Sequence, residues 1–285
     1  MNLGQIWPIS ALCILCHDAD RVLPFYRDVL GFEPRRAEES FYHFARRGTA
    51  TSLCLWEIGH IARHTIFRAH SEAAIPNKII LSLTMASASD VEALYRKLAA
   101  ENMPLMNGPA ERDIGSGFHF IDPCAVIWEV RAGAAAADAG STAALDRITI
   151  LCSDIAATQS FYEDKIKFPA GSLVDGRVTY PAIDGTALSL WDVAAASDRL
   201  GVSELLGQQD RLSAKTIMLA YSFAELETVT RLYDDLRQSG VPFDEAPAHF
   251  DWDFNAAYFC DPEGNIWELF ETPSNIEQRM LPQTG

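Results

Sequence analysis

The chain of 285 residues is long enough for two ordinary domains, and 48% of it is apolar, enough for a substantial buried core. Against 39 Asp and Glu stand 23 Lys and Arg, a formal charge of −16, which disfavours nucleic acid and anionic membranes because both select basic faces. No apolar run reaches the roughly 18 residues of a membrane span, and no secretory leader opens the sequence. Most of the six cysteines sit in apolar runs, so the composition points to a cytoplasmic protein with reduced thiols and a small-molecule or protein partner.

The first β-type run, ISALCILC at residues 9–16, carries Cys13 and Cys16. A strand sends those two side chains to opposite faces, which makes the pair a weak metal or redox signal. A helix follows, with Val22, Phe25, Tyr26 and Val29 at helical spacing, Asp18 or Asp20 as cap, and Pro24 in the first turn. Strand-like runs, one of them holding His43, end at Trp56-Glu57. A crossover over 59–77 contains His60, His64 and His70. KIILSLTM then leads into a helix for which Ser89 and Glu92 have capping-box spacing. The half closes at Trp128-Glu129 after a DPCA turn. That turn lacks the glycine a left-handed position favours, which predicts a distorted hairpin.

Residues 132–142, AGAAAADAGST, read as a linker, and the same series then recurs. FYED repeats FYRD at an offset of 136, GVP repeats NMP at 138, and DPEGNIWEL repeats DPCAVIWEV at 139, so the chain is a duplicated unit. The second half has LDRITILC, a helix, a run ending at Trp191-Asp192 and a crossover over 193–214. KTIMLAYS with a helix capped by Ser222 and Glu225 follows, then HFDWDFN at 249–255 and a close at Trp267-Glu268. Each half is twice βαβββ. A tryptophan followed by an acid ends each of the four modules, and alternation is expected to send the ring against helices and the acid to the other face.

CHDADRVLPFYRDVLGF at 16–32 and YFCDPEGNIWELFE at 258–271 resemble the vicinal oxygen chelate superfamily: glyoxalase I, bleomycin-resistance proteins, fosfomycin-resistance enzymes and type I extradiol dioxygenases. The resemblance implies an α+β fold in which four βαβββ modules form two glyoxalase-like half-barrel domains in tandem. They would span 7–132 and 144–272, joined by a linker at 133–143 and followed by a tail at 273–285. Whether modules pair within a half or across halves stays open.

In that superfamily His, Gln and Glu on the inner faces of first and closing strands hold a metal. Alignment on FY puts Ala11 and Arg147 in first-strand ligand slots, and residues 78–85 and 215–222 contain no His, Gln, Asp or Glu. Glu57 with Glu129, and Asp192 with Glu268, are the ligands left if a metal binds; such carboxylates suit Mg²⁺ or Ca²⁺ better than Zn²⁺ or Fe²⁺. The expectation is that no metal cofactor is used and that Arg147 lies across Asp192 and Glu268 in its place.

Tyr258 stands where extradiol dioxygenases keep an active-site tyrosine, and His119 is its counterpart, paired with Glu129 as a candidate general acid–base couple. Trp56, Trp191, Trp252, Tyr258 and Arg147 are the candidate ligand-binding residues. Plain packing is an equally open reading for Tyr258 and Trp252, and for His119, as for most lone strand histidines, a hydrogen-bonded structural role is the more usual one. The functional expectation is a small organic ligand, aromatic ones included, handled by sequestration or metal-independent acid–base chemistry. The alternative is a metal-dependent lyase or ring-cleaving dioxygenase using the closing-strand carboxylates. Neither nucleic acid nor membrane is an expected partner, and a homodimer is compatible with the sequence.

Overall fold

The computed structural model describes residues 8–38, 41–44, 51–61, 78–106, 108–112, 115–133, 143–183, 186–200, 217–250 and 254–272. The tail 273–285, nearly all of the linker, His64, His70, Trp252 and the side chain of His60 lie outside them. Each module supplies four strands. The first has β1 (Ala11–Cys16), β2 (Pro34–Glu38), β3 (Phe41–Phe44) and β4 (Ser52–Glu57). The second has β5 (Ile79–Met85), β6 (Ala110–Arg112), β7 (Gly115–Ile121) and β8 (Ile127–Ala132). The third has β9 (Ala143–Cys152), β10 (Ser172–Val174), β11 (Arg177–Thr179) and β12 (Ala187–Asp192), and the fourth β13 (Ile217–Phe223), β14 (Ala248–His249), β15 (Asn255–Cys260) and β16 (Ile266–Glu271).

These strands form two sheets, ordered β14-β15-β16-β13-β1-β4-β3-β2 and β10-β11-β12-β9-β5-β8-β7-β6. The four modules therefore build two half-barrels, and each half-barrel takes one module from each half of the chain. The seams are the antiparallel pairs β1–β13 and β5–β9. This corrects the expected grouping of acids: Glu57 shares a sheet with Glu268, and Glu129 with Asp192.

What joins the two modules of one half is the core between helices and sheets. In the first half the buried Tyr26 hydroxyl donates to Asp122 Oδ2 at 2.6 Å, and Trp128 Nε1 donates to the same oxygen at 2.8 Å. The backbone N–H groups of Cys124 and Val126 fill Asp122 Oδ1. In the second half Tyr162 donates to Asp261 Oδ2 at 2.8 Å, Asn265 donates to both Asp261 oxygens, and Trp267 Nε1 donates to the Tyr162 hydroxyl at 3.1 Å. The repeated FY, DP and Trp motifs are thus one buried network, made twice, in which a helix of one module clamps the hairpin of the next.

The DPCA hairpin corrects one expectation. Ala125 adopts φ 59°, close to the 77° of Gly264 in the other copy, and each accepts the same role by donating to the carbonyl of the turn aspartate, at 3.0 and 2.9 Å. The turn is undistorted, and the alanine carries the strain of a left-handed conformation instead. Ala125→Gly is expected to raise unfolding free energy by about 0.5–1 kcal/mol, after allowing for glycine's larger unfolded-state entropy. Urea denaturation of the two proteins checks this, and a loss of stability would refute the strain.

Asp18 is the first cap, accepting from Arg21 N at 2.9 Å. Pro24 is the last residue of that α-helix rather than part of its first turn, and the chain then passes into a π-helical turn, Phe25–Val29. The second copy makes the same switch after Ser160, so the proline is not its cause. The helix Ala88–Ala100 is capped by Ser87, whose Oγ accepts from Asp90 N, not by Ser89. Ser222 lies within β13, and Glu225 occupies the N-cap of Leu226–Gln238 without a side-chain bond. In both places the extended residue just before the helix, rather than the serine at capping-box spacing, starts it.

Candidate functional site

One face of each sheet is covered by helices, and alternation along the strands fixes which side chains reach the other, inner face. Trp128 and Trp267 are fully buried in the helix-side core, so Glu129 and Glu268 point inward. In the first and third modules the parity is reversed. Trp56 and Trp191 join small inner-face clusters, with Cys13, Cys54 and Met218 in one and Ile80, Ile127 and Leu151 in the other. Glu57 instead accepts from Ala19 N at 3.1 Å, and Asp192 from Ala195 N at 2.9 Å. Both acids hold helix starts, which corrects their candidacy as inner-face ligands.

On the second half-barrel four polar residues form a row across four neighbouring strands. Register places Arg147 on β9 opposite Ser82 on β5, Ser82 opposite Glu129 on β8, and Glu129 opposite His119 on β7. Ser82 Oγ donates to Glu129 Oε2 at 2.6 Å. His119 Nε2 stands 3.8 Å from Glu129 Oε1, an ion-pair distance that lies beyond hydrogen-bond range. Burial opposes the charge on Glu129, yet His119, Arg177, the Ser82 hydroxyl and Arg131 together outweigh it and lower its pKa. Arg147 and Arg177 both have theirs lowered, first by burial and then by neighbouring guanidinium groups.

A bulge shapes this row. Ser82 faces Arg147 but Leu83 faces Leu145, so Asp146 is the extra residue. Asp146 and Arg147 consequently both serve the inner face, and Asp146 pairs with Arg131. Arg177, on β11 opposite Trp191, lays its guanidinium 4.2 Å from the ring centre.

The equivalent row on the first half-barrel reads Ala11 on β1, Ala220 on β13, Glu268 on β16 and Tyr258 on β15. Tyr258 donates to Glu268 Oε1 at 2.6 Å. Burial raises Glu268 to about 7, only partly offset by that bond, and burial with the adjacent carboxylate pushes the Tyr258 phenol well up. Apolar side chains surround the pair, among them Cys13, Trp56, Met218 and Phe250. His43 is in register with Cys54 here, and His249 is exposed at the end of β14.

The expected bridge from Arg147 to Asp192 and Glu268 does not form. Glu268 belongs to the other sheet, Asp192 faces the helices, and Arg147 interacts electrostatically with Glu129 and Asp146. Cys13 and Cys16 do face opposite sides of β1. Sequence reasoning missed Ser82, Asp146 and Arg177. Ser82 had a signal, as one of two hydroxyls, with Thr84, in a strand whose other residues are apolar; the bulge and the Arg177 stack had none.

Paired βαβββ modules curled into half-barrels, each with a closing-strand glutamate on its inner face, define a class of protein. The Glyoxalase/Bleomycin resistance protein/Dioxygenase superfamily model matches residues 9–130 and again 144–269. The chain belongs to that superfamily. Among solved structures it is similar to glyoxalase I from Zea mays, with a TM-score of 0.60 and 14% identity over 96% of this chain and 95% of that one. It is also similar to a putative dioxygenase from Bacillus subtilis subsp. subtilis str. 168, with a TM-score of 0.62 and 14% identity over 95% and 86%. No curated protein matches it. Among the described residues no helix is long and apolar enough to cross a membrane, and no three His, Cys, Asp or Glu side chains cluster as metal ligands would.

Proposed function

We propose that the chain is a metal-independent member of this superfamily. Its second half-barrel binds a small organic ligand, by sequestration or with Glu129 and His119 as an acid–base couple. The observation that carries this reading is the row Arg147–Ser82–Glu129–His119, whose first three members lie on the first and closing strands that supply ligands in chelating relatives. Its chemistry does not fit a divalent cation. Glu129 and His119 are the two donors of ordinary metal-ligand type in the row, and the guanidinium groups of Arg131, Arg147 and Arg177 act on the same carboxylate. Glu129 Oε2 is held by Ser82, which leaves Oε1, on the His119 side, to take a proton.

The first half-barrel supports the same reading differently. Its row offers one carboxyl among alanines, and burial disfavours the charge a cation requires. Tyr258 and Trp56 there act as packing around Glu268.

Protein purified without chelators should carry well under one equivalent of transition metal, and added Zn²⁺, Mn²⁺ or Fe²⁺ should leave its melting temperature unchanged. Stoichiometric metal that disappears in Glu129→Ala or Glu268→Ala would overturn the proposal in favour of a metal-dependent lyase or dioxygenase.

A further inference from the structure

We propose that the ligand of the second half-barrel is a small organic anion whose carboxylate or phosphate group is held by Arg147 and Arg177. The inference rests on the reading above and names its ligand class.

In a chain of net charge −16, three arginines are drawn to one inner face. Arg131 is neutralised by Asp146. That leaves Arg147 and Arg177 facing the single carboxylate of Glu129, itself already bonded by Ser82. Arg131, Arg147 and Arg177 against Asp146 and Glu129 leave one positive charge in excess, and Arg199 adds to the positive field at Arg177. Among the described residues the buried Nε atoms of both arginines have no hydrogen-bond partner. Nor do the hydroxyls of Thr149 and Ser189, which stand opposite each other on β9 and β12 and are fully buried. Folded proteins leave few such groups unmet, because each costs about 1–3 kcal/mol. Arg131 Nε, Thr84 Oγ1 and one acceptor, Asp146 Oδ1, are unmet on the same face, so donors are in surplus there, and the surplus calls for a group made of acceptor oxygens. An anionic oxo group supplies that and balances the charge.

The fold itself does not demand these residues, because the other half-barrel is an internal control. At the matching register positions Arg147 is replaced by Ala11, Ser82 by Ala220, Thr149 by Cys13 and Ser189 by Cys54. Arg177 over Trp191 is replaced by Phe41, whose ring meets Trp56 edge-on at 5.6 Å. The same scaffold packs those sites with apolar side chains.

The test titrates the full chain at fixed ionic strength with benzoate, phenyl phosphate and uncharged benzamide, by calorimetry and melting temperature. At least one anion should bind and raise the melting temperature while benzamide does not; which of the two binds separates carboxylate from phosphate. Arg147→Ala and Arg177→Phe, each copying the other half-barrel, should weaken that binding at least about ten-fold. Neither should lower the melting temperature of the free protein. Failure of both anions, or binding indifferent to both arginine variants, would overturn the inference. If benzamide binds instead, and Glu129→Gln weakens it, the site stands and only its anionic ligand is refuted.

Discussion

Asp261→Ala should destabilise the protein by about 4 kcal/mol, among the largest losses from any single substitution in this chain. Its carboxylate takes the Tyr162 hydroxyl and both the side-chain and backbone N–H of Asn265, and Tyr162 in turn takes Trp267 Nε1. All four side chains are buried. Truncation leaves three donors facing an apolar gap, and an unmet buried donor costs roughly 1–3 kcal/mol. Asp122→Ala should act alike, since Tyr26, Trp128, Cys124 and Val126 all donate to that carboxylate. Tyr162→Phe leaves Asp261 with both Asn265 donors but strips the buried Trp267 Nε1 of its acceptor, and should cost about 1–3 kcal/mol. The double variant Tyr162→Phe/Asp261→Ala should then lose less than the two singles summed, because both act in one network. Chemical denaturation decides it: a loss below about 1 kcal/mol for Asp261→Ala would show that the network does not clamp the hairpin.

The second large effect is a difference in sign between two glutamates that duplication makes equivalent. Glu268 is raised to about 7, so the folded state keeps a proton that the unfolded chain releases from about pH 4.5 upward. The stability tied to that proton is complete below the unfolded value and is lost as pH rises through 7. Glu268→Gln, which still accepts from Tyr258, should therefore be near neutral at acidic pH and stabilising by on the order of 3 kcal/mol around pH 8. Glu129 is lowered instead, so its contribution exists above the ordinary carboxylate range and is lost as pH falls through its folded value. Glu129→Gln should destabilise at pH 7 by about 3 kcal/mol, since it strands guanidinium groups on the inner face. Paired unfolding curves over this pH range check both. Equal responses would mean that the arginines do not set the character of the second site.

Much of the fold was legible because duplication prints its own markers. Tyr26 and Asp122, like Tyr162 and Asp261, are 96 and 99 residues apart yet share a hydrogen bond, so the motifs that revealed the repeat are the ones that hold it together. Glu129 and His119 were legible for a local reason: they are ten residues apart in a hairpin and face each other across it. The same holds for Tyr258 and Glu268. The parity of the other two tryptophans was not legible. LWE and LWD look like IWE, but each strand ends there and its acid turns to meet a helix. Long-range pairing was equally hidden. Nothing in Arg147 says that its neighbour across the sheet is Ser82 rather than an acid of its own half, and no local pattern announces the bulge at Asp146.

Seams that run between halves rather than within them have a bearing on how the two sites came to differ. Two separate copies of one half, associating through the same seams, would obey two-fold symmetry, and any residue placed in one site would appear in the other. Joining the copies in a single chain lifts that obligation. Arginine at 147 no longer forces arginine at 11, and one concavity can turn polar while its twin fills with hydrocarbon and sulfur. The covalent link does more than tether: it makes asymmetry heritable, so that one inner face can carry arginines where the other carries alanine and phenylalanine.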